Sequence, residues 1–169
     1  SVGGVLPIIH VMDAMNRFED VTETGGILNG TSNYILDMMT KQHISFATAL
    51  RDAQEAGYAE RDPSADIDGI DVKNKLMILS SLAFHQVSEY DKLDTTGIRY
   101  ISKDDIEYFV KHGTVCKLFA RALRENDTYT GSIEPTLFPK DSVFANVSVN
   151  NNAAFVYSKS SGQIILHGQ

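Results

Sequence analysis

The chain has 169 residues, a size that suits one well-packed domain, and 43% of them are hydrophobic while 22% are charged. This composition is typical of a globular fold and unlike that of a disordered tail. A formal net charge of -7 argues against a nucleic-acid partner, because phosphate binding requires clustered Lys and Arg.

No apolar run approaches the ~18 residues of a membrane span, so we expect no membrane partner. The opening residues, SVGGVLPII, lack the basic-then-apolar pattern of a signal peptide, and neither end carries a polar tail, so we expect a piece of a longer polypeptide. The single cysteine, Cys116, suits a reducing cytoplasm and is predicted to be a buried strand residue. The five histidines show no metal-ligand spacing, so we expect no metal.

Helical spacing of apolar residues predicts helices over residues 5–16, 34–39, 46–56, 69–84 and 104–112. Ser45 is a candidate cap for the third of these, and Gly57 follows its end. Residues 58–67, which include Pro63, are predicted to form an acidic loop. A strand is predicted over residues 18–28. The polar stretch 29–33, with the sequence NGTSN, is interpreted as a turn and helix cap in preference to a polar pocket wall.

From Thr114 onward the pattern becomes extended, with candidate strands at residues 115–123, 129–137, 143–149, 153–157 and 163–167. The chain is therefore predicted to be an α+β fold with helices packed on one face of a mostly antiparallel sheet. No βαβ series is visible and no G-x-G-x-x-G follows a strand, so a dinucleotide-binding fold is not expected within this chain.

The most informative stretch is residues 57–75, with the sequence GYAERDPSADIDGIDVKNK. Glu60, Asp62, Asp66, Asp68 and Asp71 place five carboxylates within twelve residues, before or within the first turn of an apolar helix. Carboxylates are stabilised near helix N-termini by free N–H groups and by the helix dipole. In the simplest interpretation, Asp66 or Asp68 caps this helix, Asp71 lies in its first turn, and Glu60 and Asp62 are solvated.

The pair formed by Asp71 and Lys75 is harder to explain as surface chemistry. The two residues are four apart and share a helix face, and that face continues through Ile78, Leu79 and Leu82, which should point into a core. A charged pair on a core-facing stripe is costly unless it is satisfied, and burial can tune a lysine for proton transfer. A structural ion pair and a functional site both remain open on the residues alone.

A calcium loop is excluded. If Gly69 took the sixth position of an EF-hand loop, Asp66 and Asp68 would take the third and fifth. Ser64 would then be first, and Lys75 would occupy the twelfth position, where the bidentate carboxylate belongs.

Several motifs together resemble homoserine dehydrogenase across essentially the whole chain. GGILNGTSNYIL at residues 25–36 is similar to the family's strand-to-helix signature. GYAERDP at 57–63 and DVKNKL at 71–76 resemble its substrate-site signature. PTLFPK at 135–140 and ANV at 145–147 resemble its later strands, and the opening SVGG is similar to the segment by which the family's chain leaves its nucleotide domain.

The resemblance implies reduction of aspartate semialdehyde to homoserine with NADPH or NADH, and it implies roles for individual residues. Lys75 matches the lysine taken as proton donor to the developing alkoxide, and Asp71 matches the carboxylate beside it. Glu60 and Asp66 match acidic residues that line the homoserine site. These assignments fit the chemistry, because the substrate ammonium needs carboxylates and the alkoxide needs a proton.

Two further positions follow from the same match. Tyr58 lies in the substrate-site loop and is expected to bind substrate, and Gly57 matches a glycine near the NADP or NAD cofactor. The family's nucleotide-binding domain, a second active-site lysine, a cofactor-facing glycine-rich stretch and the residues for a monovalent cation are absent from this chain, so no metal site is expected.

Residues 1–169 are therefore expected to be a substrate-binding and dimerisation domain that lacks the dinucleotide-binding domain, is inactive alone, and forms a cytoplasmic homodimer through its sheet. The rival interpretation is a non-catalytic α+β assembly or small-molecule-binding module whose acidic loop is only a helix N-terminus.

Overall fold

The computed structural model of the chain describes residues 2, 6–86, 89–126 and 128–168. Except for Val2, the opening SVGG segment lies outside the described residues, as does Val5, the first residue of the predicted helix 5–16.

In the described residues the first half of the chain is mainly helical and the second half is rich in strands, as the sequence pattern predicts. The helices are α1 (Ile8–Asn16), α2 (Gly30–Gln42), α3 (Phe46–Glu55), α4 (Ser64–Ile67), α5 (Ile70–Phe84) and α6 (Lys103–Lys111), with a 3₁₀ turn at Tyr90–Lys92. The strands are β1 (Val21–Ile27), β2 (Leu93–Thr95), β3 (Thr114–Glu125), β4 (Thr128–Pro139), β5 (Asn152–Ser158) and β6 (Gly162–Gly168).

The strands form one six-stranded sheet in the order β2-β4-β3-β1-β5-β6. Every neighbouring pair is antiparallel except β2 and β4, which run parallel. The predicted fold class, α+β with a mostly antiparallel sheet, is confirmed.

The main core lies between the helices and one face of this sheet. Alternate residues of β3, namely Cys116, Leu118, Ala120 and Ala122, are buried against it, as strand geometry requires. All six helices contribute buried residues to the same cluster. The prediction that the helices pack on one face of the sheet is therefore confirmed for the described residues.

The opposite face of the sheet carries a smaller aromatic cluster. The ring of Phe119 lies 4.8 Å from that of Phe144 and 4.9 Å from that of Phe138, measured between centroids, and Phe155 stacks parallel to it. Phe144 and Val147 belong to the segment between β4 and β5, which folds over this cluster. No described helix belongs to the cluster.

Two consecutive glycines let β1 pack between its neighbours. A Cβ at Gly25 would lie 2.0 Å from the carbonyl oxygen of Ala120, and one at Gly26 would lie 1.9 Å from that of Ala153. Both backbones also adopt positive φ angles, 156° and 140°. A side chain at either position would push β1 away from β3 or β5, and the end of β1 is where the candidate site begins.

Several predicted boundaries change. Helix α2 begins at Gly30 and is longer than predicted, and the loop predicted at residues 58–67 contains the short helix α4. The predicted strand 143–149 is wrong: this segment forms turns with backbone bonds from Asn146 to Val143 and from Val147 to Phe144. The short strand β2 was not predicted.

The expected core-facing stripe of α5 is also wrong in part. Leu79 is fully buried, but Ile78 is 43% exposed and Leu82 is 42% exposed. The stripe that packs on the sheet runs through Val72, Leu76 and Leu79, which is displaced by one residue, or ~100° around the helix axis. The face of α5 that carries Asp71 and Lys75 therefore lies at the edge of the core and not inside it.

None of the helices in the described parts of the chain combines the length and apolar character needed to cross a bilayer.

Candidate active site

The candidate site forms where β1 passes into α2. Asn29 is the N-cap of α2: its backbone is extended and its Oδ1 accepts a hydrogen bond of 2.8 Å from the Ser32 N–H. This confirms the predicted turn and helix cap at residues 29–33. The preceding carbonyl, that of Leu28, accepts a hydrogen bond of 2.9 Å from Lys75 Nζ on α5.

The first turns of α5 supply a charged pair. Lys75 Nζ lies 2.6 Å from Asp71 Oδ2, and the two side chains are 21% and 34% exposed. The i,i+4 spacing brings them together on one helix face, as the sequence predicts. The lysine is held by a carboxylate and a backbone carbonyl yet keeps contact with solvent, which is what a group that exchanges protons requires.

Asn29 connects this pair to a second carboxylate. Its Nδ2 donates to Asp66 Oδ1 at 2.6 Å, and to Asp71 Oδ2 at 3.0 Å. Asp66 lies on α4 and Asp71 on α5, so one buried amide joins carboxylates from two elements. The result is a continuous polar network that runs from Asp66 through Asn29 and Asp71 to Lys75.

The loop after α3 approaches the same region from the other side of α2. The Tyr58 ring lies 4.8 Å from that of Tyr34 between centroids, and the Tyr58 carbonyl accepts a 2.6 Å hydrogen bond from Thr31 Oγ1. Gly57 has a φ of 77°, and an added Cβ would meet nothing within 4 Å, so its backbone faces open space. The Glu60 side chain is exposed and, among the described residues, has no hydrogen-bond or ion-pair partner.

Two other acidic residues of the segment form hydrogen bonds outside this network. Asp62 accepts bonds from the Ser64 hydroxyl and backbone N–H, which lower the pKa of this carboxyl. Asp68 forms a bidentate pair with Arg99 at 2.8 and 2.7 Å, and this hydrogen bonding lowers the pKa of Asp68.

Neither Asp66 nor Asp68 caps α5, contrary to the expectation from the sequence. The N-cap is Gly69, whose φ of 80° is left-handed and whose position gives no side-chain cap. The chain turns so sharply between α4 and α5 that only a glycine suits this position, and the neighbouring carboxylates are left to contact Asn29 and Arg99.

The structure thus brings together three of the predicted site residues, Asp66, Asp71 and Lys75, and leaves Glu60 and Gly57 exposed at the rim. Asn29 was not singled out as a site residue. The only sequence signal was a cap residue inside a conspicuous glycine-rich motif, and a cap satisfies the local pattern without requiring a second role.

A second lysine lies outside this network. Lys117 of β3 is fully buried, and its Nζ donates to Asn33 Oδ1 at 2.9 Å and to the Val147 carbonyl at 2.6 Å. Burial lowers the pKa of Lys117 to about 8. Its neighbour Cys116 lies on the opposite strand face and is buried as predicted, and burial raises the pKa of the thiol to about 12.

Fold and site together define an α+β domain with a half-exposed lysine–carboxylate network that suits a small polar molecule with an ammonium group. The family model for homoserine dehydrogenase matches residues 7–169. The chain belongs to the homoserine dehydrogenase family.

Relatives and solved structures agree with this assignment. The chain is 38% identical to the homoserine dehydrogenase of Synechocystis sp., with 100% of the chain and 40% of that protein covered. It is 32% identical to that of Bacillus subtilis, covering 99% of the chain and 39% of that protein. The crystal structure of a homoserine dehydrogenase from Thiobacillus denitrificans superposes with a TM-score of 0.94 at 35% identity, covering 99% of this chain and 39% of that one. The chain therefore spans about two fifths of the length of these relatives.

Proposed function

We propose that residues 1–169 form the substrate-binding and dimerisation domain of a homoserine dehydrogenase, which reduces aspartate 4-semialdehyde to homoserine in the biosynthesis of threonine and methionine. The observation that carries the proposal is the contact of Lys75 Nζ with Asp71 at 2.6 Å, beside Asp66 and open to solvent. A proton donor and carboxylates for an ammonium group are the two functions that this amino-acid substrate needs.

In this proposal the carboxylates hold the substrate and the lysine acts on its oxygen. Asp66 and Glu60 take the substrate ammonium, with Tyr58 bordering the same loop. Lys75 donates a hydrogen bond to the aldehyde oxygen and gives its proton to the alkoxide oxygen, while Asp71 fixes the Nζ position. Because Lys75 is anchored at the Leu28 carbonyl as well as at Asp71, its reach is defined before substrate binds.

A nicotinamide cofactor, NADP or NAD, supplies the hydride when bound. The chain contains no G-x-G-x-x-G turn that leads from a strand into a helix, so its own residues do not form a pyrophosphate site. We propose that the backbone at Gly57, where an added Cβ would meet no atom of the described residues within 4 Å, faces the cofactor.

Titration of the chain with L-homoserine, followed by NMR, tests the substrate assignment. We expect chemical-shift changes at Glu60, Asp66 and Asp71. They should weaken for 4-hydroxybutyrate, which lacks the ammonium, and for Asp66→Asn. Equal shifts with both ligands would overturn the role of the carboxylates, and no binding of homoserine by the full-length protein would favour a non-catalytic module.

We also propose a cytoplasmic homodimer that forms through the free face of the sheet. The support is that this face carries no described helix and leaves the side chain of Arg121, which pairs with Glu23, 54% exposed beside the buried aromatic cluster around Phe119 and Phe155. Light scattering tests this directly: Ser132→Arg on that face should yield monomers, while Gln42→Arg at the exposed C-terminal end of α2 should not. A monodisperse monomer of the unaltered chain would refute the dimer.

A further inference from the structure

Asn29 uses both ends of its side-chain amide. The Oδ1 atom is fixed as the cap of α2 by the Ser32 N–H at 2.8 Å. Since the amide is planar and its oxygen is held, the nitrogen must point away from the helix. The residue is only 5% exposed, so its two N–H donors have to find partners inside the protein.

Both donors meet carboxylates of the candidate site. Nδ2 lies 2.6 Å from Asp66 Oδ1 and 3.0 Å from Asp71 Oδ2. Two carboxylates this close repel each other in a partly buried setting, and a donor shared between them offsets the repulsion. No other hydrogen bond within the described residues links α4 to Asp71.

We propose that Asn29 is a positioning residue for the reaction assigned above. It sets the spacing between Asp66, which holds the substrate ammonium, and the Asp71–Lys75 pair, which delivers the proton. The inference rests on the proposed function and adds a specific requirement to it. Hydrogen-bond donors, and not only a helix cap, are needed at position 29, because proton transfer depends on the distance between the two ends of the substrate site.

Two substitutions separate the capping role from the donor role. Asn29→Asp and Asn29→Ser both retain a side-chain oxygen that caps helices well, and both remove the amide donors. Asn29→Ser does so without adding a charge. A purely structural Asn29 predicts that both variants keep the kcat and KM of the unaltered protein, whereas a positioning role predicts a loss of activity that exceeds any loss of stability.

The test is steady-state kinetics of the full-length protein that contains this chain, together with thermal unfolding. We expect Asn29→Ser to lower kcat/KM for aspartate semialdehyde at least about tenfold, the equivalent of one lost hydrogen bond of ~1.4 kcal/mol. Both kcat and KM should change, because the residue contacts the carboxylates of both functions. Asn29→Asp should lose more, since it adds a negative charge between two others.

Ser45→Ala is the matched control. Ser45 caps α3 by accepting from the Thr48 N–H at 3.2 Å, and it has no contact with the site network. Its loss should lower the melting temperature and leave kcat/KM unchanged. If Asn29→Ser likewise keeps its kcat/KM, Asn29 is only a cap and the inference is wrong.

The kinetic measurements distinguish a failure of this inference from a failure of the proposed function. Absence of homoserine dehydrogenase activity in the unaltered full-length protein would refute the proposed function. An active protein whose Asn29→Ser variant keeps its kcat and KM would refute only the positioning role.

Discussion

Two lysines beside α2 show how different surroundings give the same side chain different uses. Lys75 contacts a carboxylate and a carbonyl and is 21% exposed, whereas Lys117 contacts an amide oxygen and a carbonyl and is fully buried. A lysine with an anionic partner and solvent access can hold and exchange a proton. A lysine without either loses most of its hydration, and its charge is costly to the folded state. The arrangement of Lys75 suits proton transfer, whereas that of Lys117 suits a structural role.

The largest expected effect is at Lys75. Lys75→Met in the full-length protein should lower kcat at least about a hundredfold, the scale of general acid catalysis, because it removes the group proposed to protonate the alkoxide. The folded state should persist, since the side chain only borders the core. Kinetics with aspartate semialdehyde measure the effect, and Lys117→Met provides the comparison, with a kcat much closer to that of the unaltered protein. Near-normal kcat in Lys75→Met would remove this residue from the proton-donor role.

The second prediction concerns the pH dependence of stability at Lys117. Its pKa falls from 10.5 to about 8 because of burial. Between these values the unfolded chain binds a proton that the folded chain has released, so the free energy of unfolding should rise with pH across this window. At about 1.4 kcal/mol per pKa unit, the gain is at most ~3.5 kcal/mol.

Urea unfolding at several pH values between the two pKa values measures this gain. Lys117→Met is the control, because its side chain cannot titrate, although it also removes the hydrogen bonds to Asn33 and Val147. The difference between the unaltered chain and the variant should therefore increase with pH. A difference that stays constant or decreases would show that Lys117 does not release its proton in the folded state.

Lys75 was predictable from sequence, and Lys117 was not. The first lies four residues after an aspartate in an acidic helix start, so local spacing alone brings the pair together. The second lies in a strand whose alternate residues, Cys116 and Leu118, face the core, which would direct its side chain to solvent. Instead, Lys117 is buried and its Nζ donates to the carbonyl of Val147, which belongs to the segment wrongly predicted as a strand.

That segment shows why local pattern failed. Its apolar residues fit a strand, but Asn146 Nδ2 bonds the carbonyls of Lys140 and Ser142 and folds the chain into turns. The apolar side chains Phe144 and Val147 are then buried by the turn and not by alternation. The fold class and the Asp71–Lys75 contact could be predicted from local spacing alone. The burial of Lys117 and the contacts of Asn29 with Asp66 and Asp71 depend on distant parts of the chain.

The third prediction separates two carboxylates of the acidic segment. Glu60→Gln and Asp66→Asn should mainly raise KM, because they remove partners of the substrate ammonium while leaving the proton donor in place. Loss of one charge-assisted hydrogen bond corresponds to roughly a tenfold rise or more. Asp66 already contacts Asn29, whereas Glu60 is exposed, so Asp66→Asn should also lower kcat slightly. Unchanged KM in a folded enzyme would assign both residues to the loop surface.

The smallest expected effect is at the Asp68–Arg99 pair, an ion pair that lies on the same acidic segment but outside the network. Its side chains are 36% and 41% exposed, so water and salt screen the attraction and the pair stabilises the fold only weakly. Hydrogen bonding to Arg99 lowers the pKa of Asp68, so this stabilisation is present above the unfolded pKa of the carboxyl and is lost as the pH falls through the folded value. Arg99→Ala should therefore destabilise the chain slightly at neutral pH, less at high salt, and not at all once Asp68 is protonated. Thermal unfolding at neutral and acidic pH measures the difference. A large loss that persists in acid would mean that Arg99 acts through packing and not through its charge.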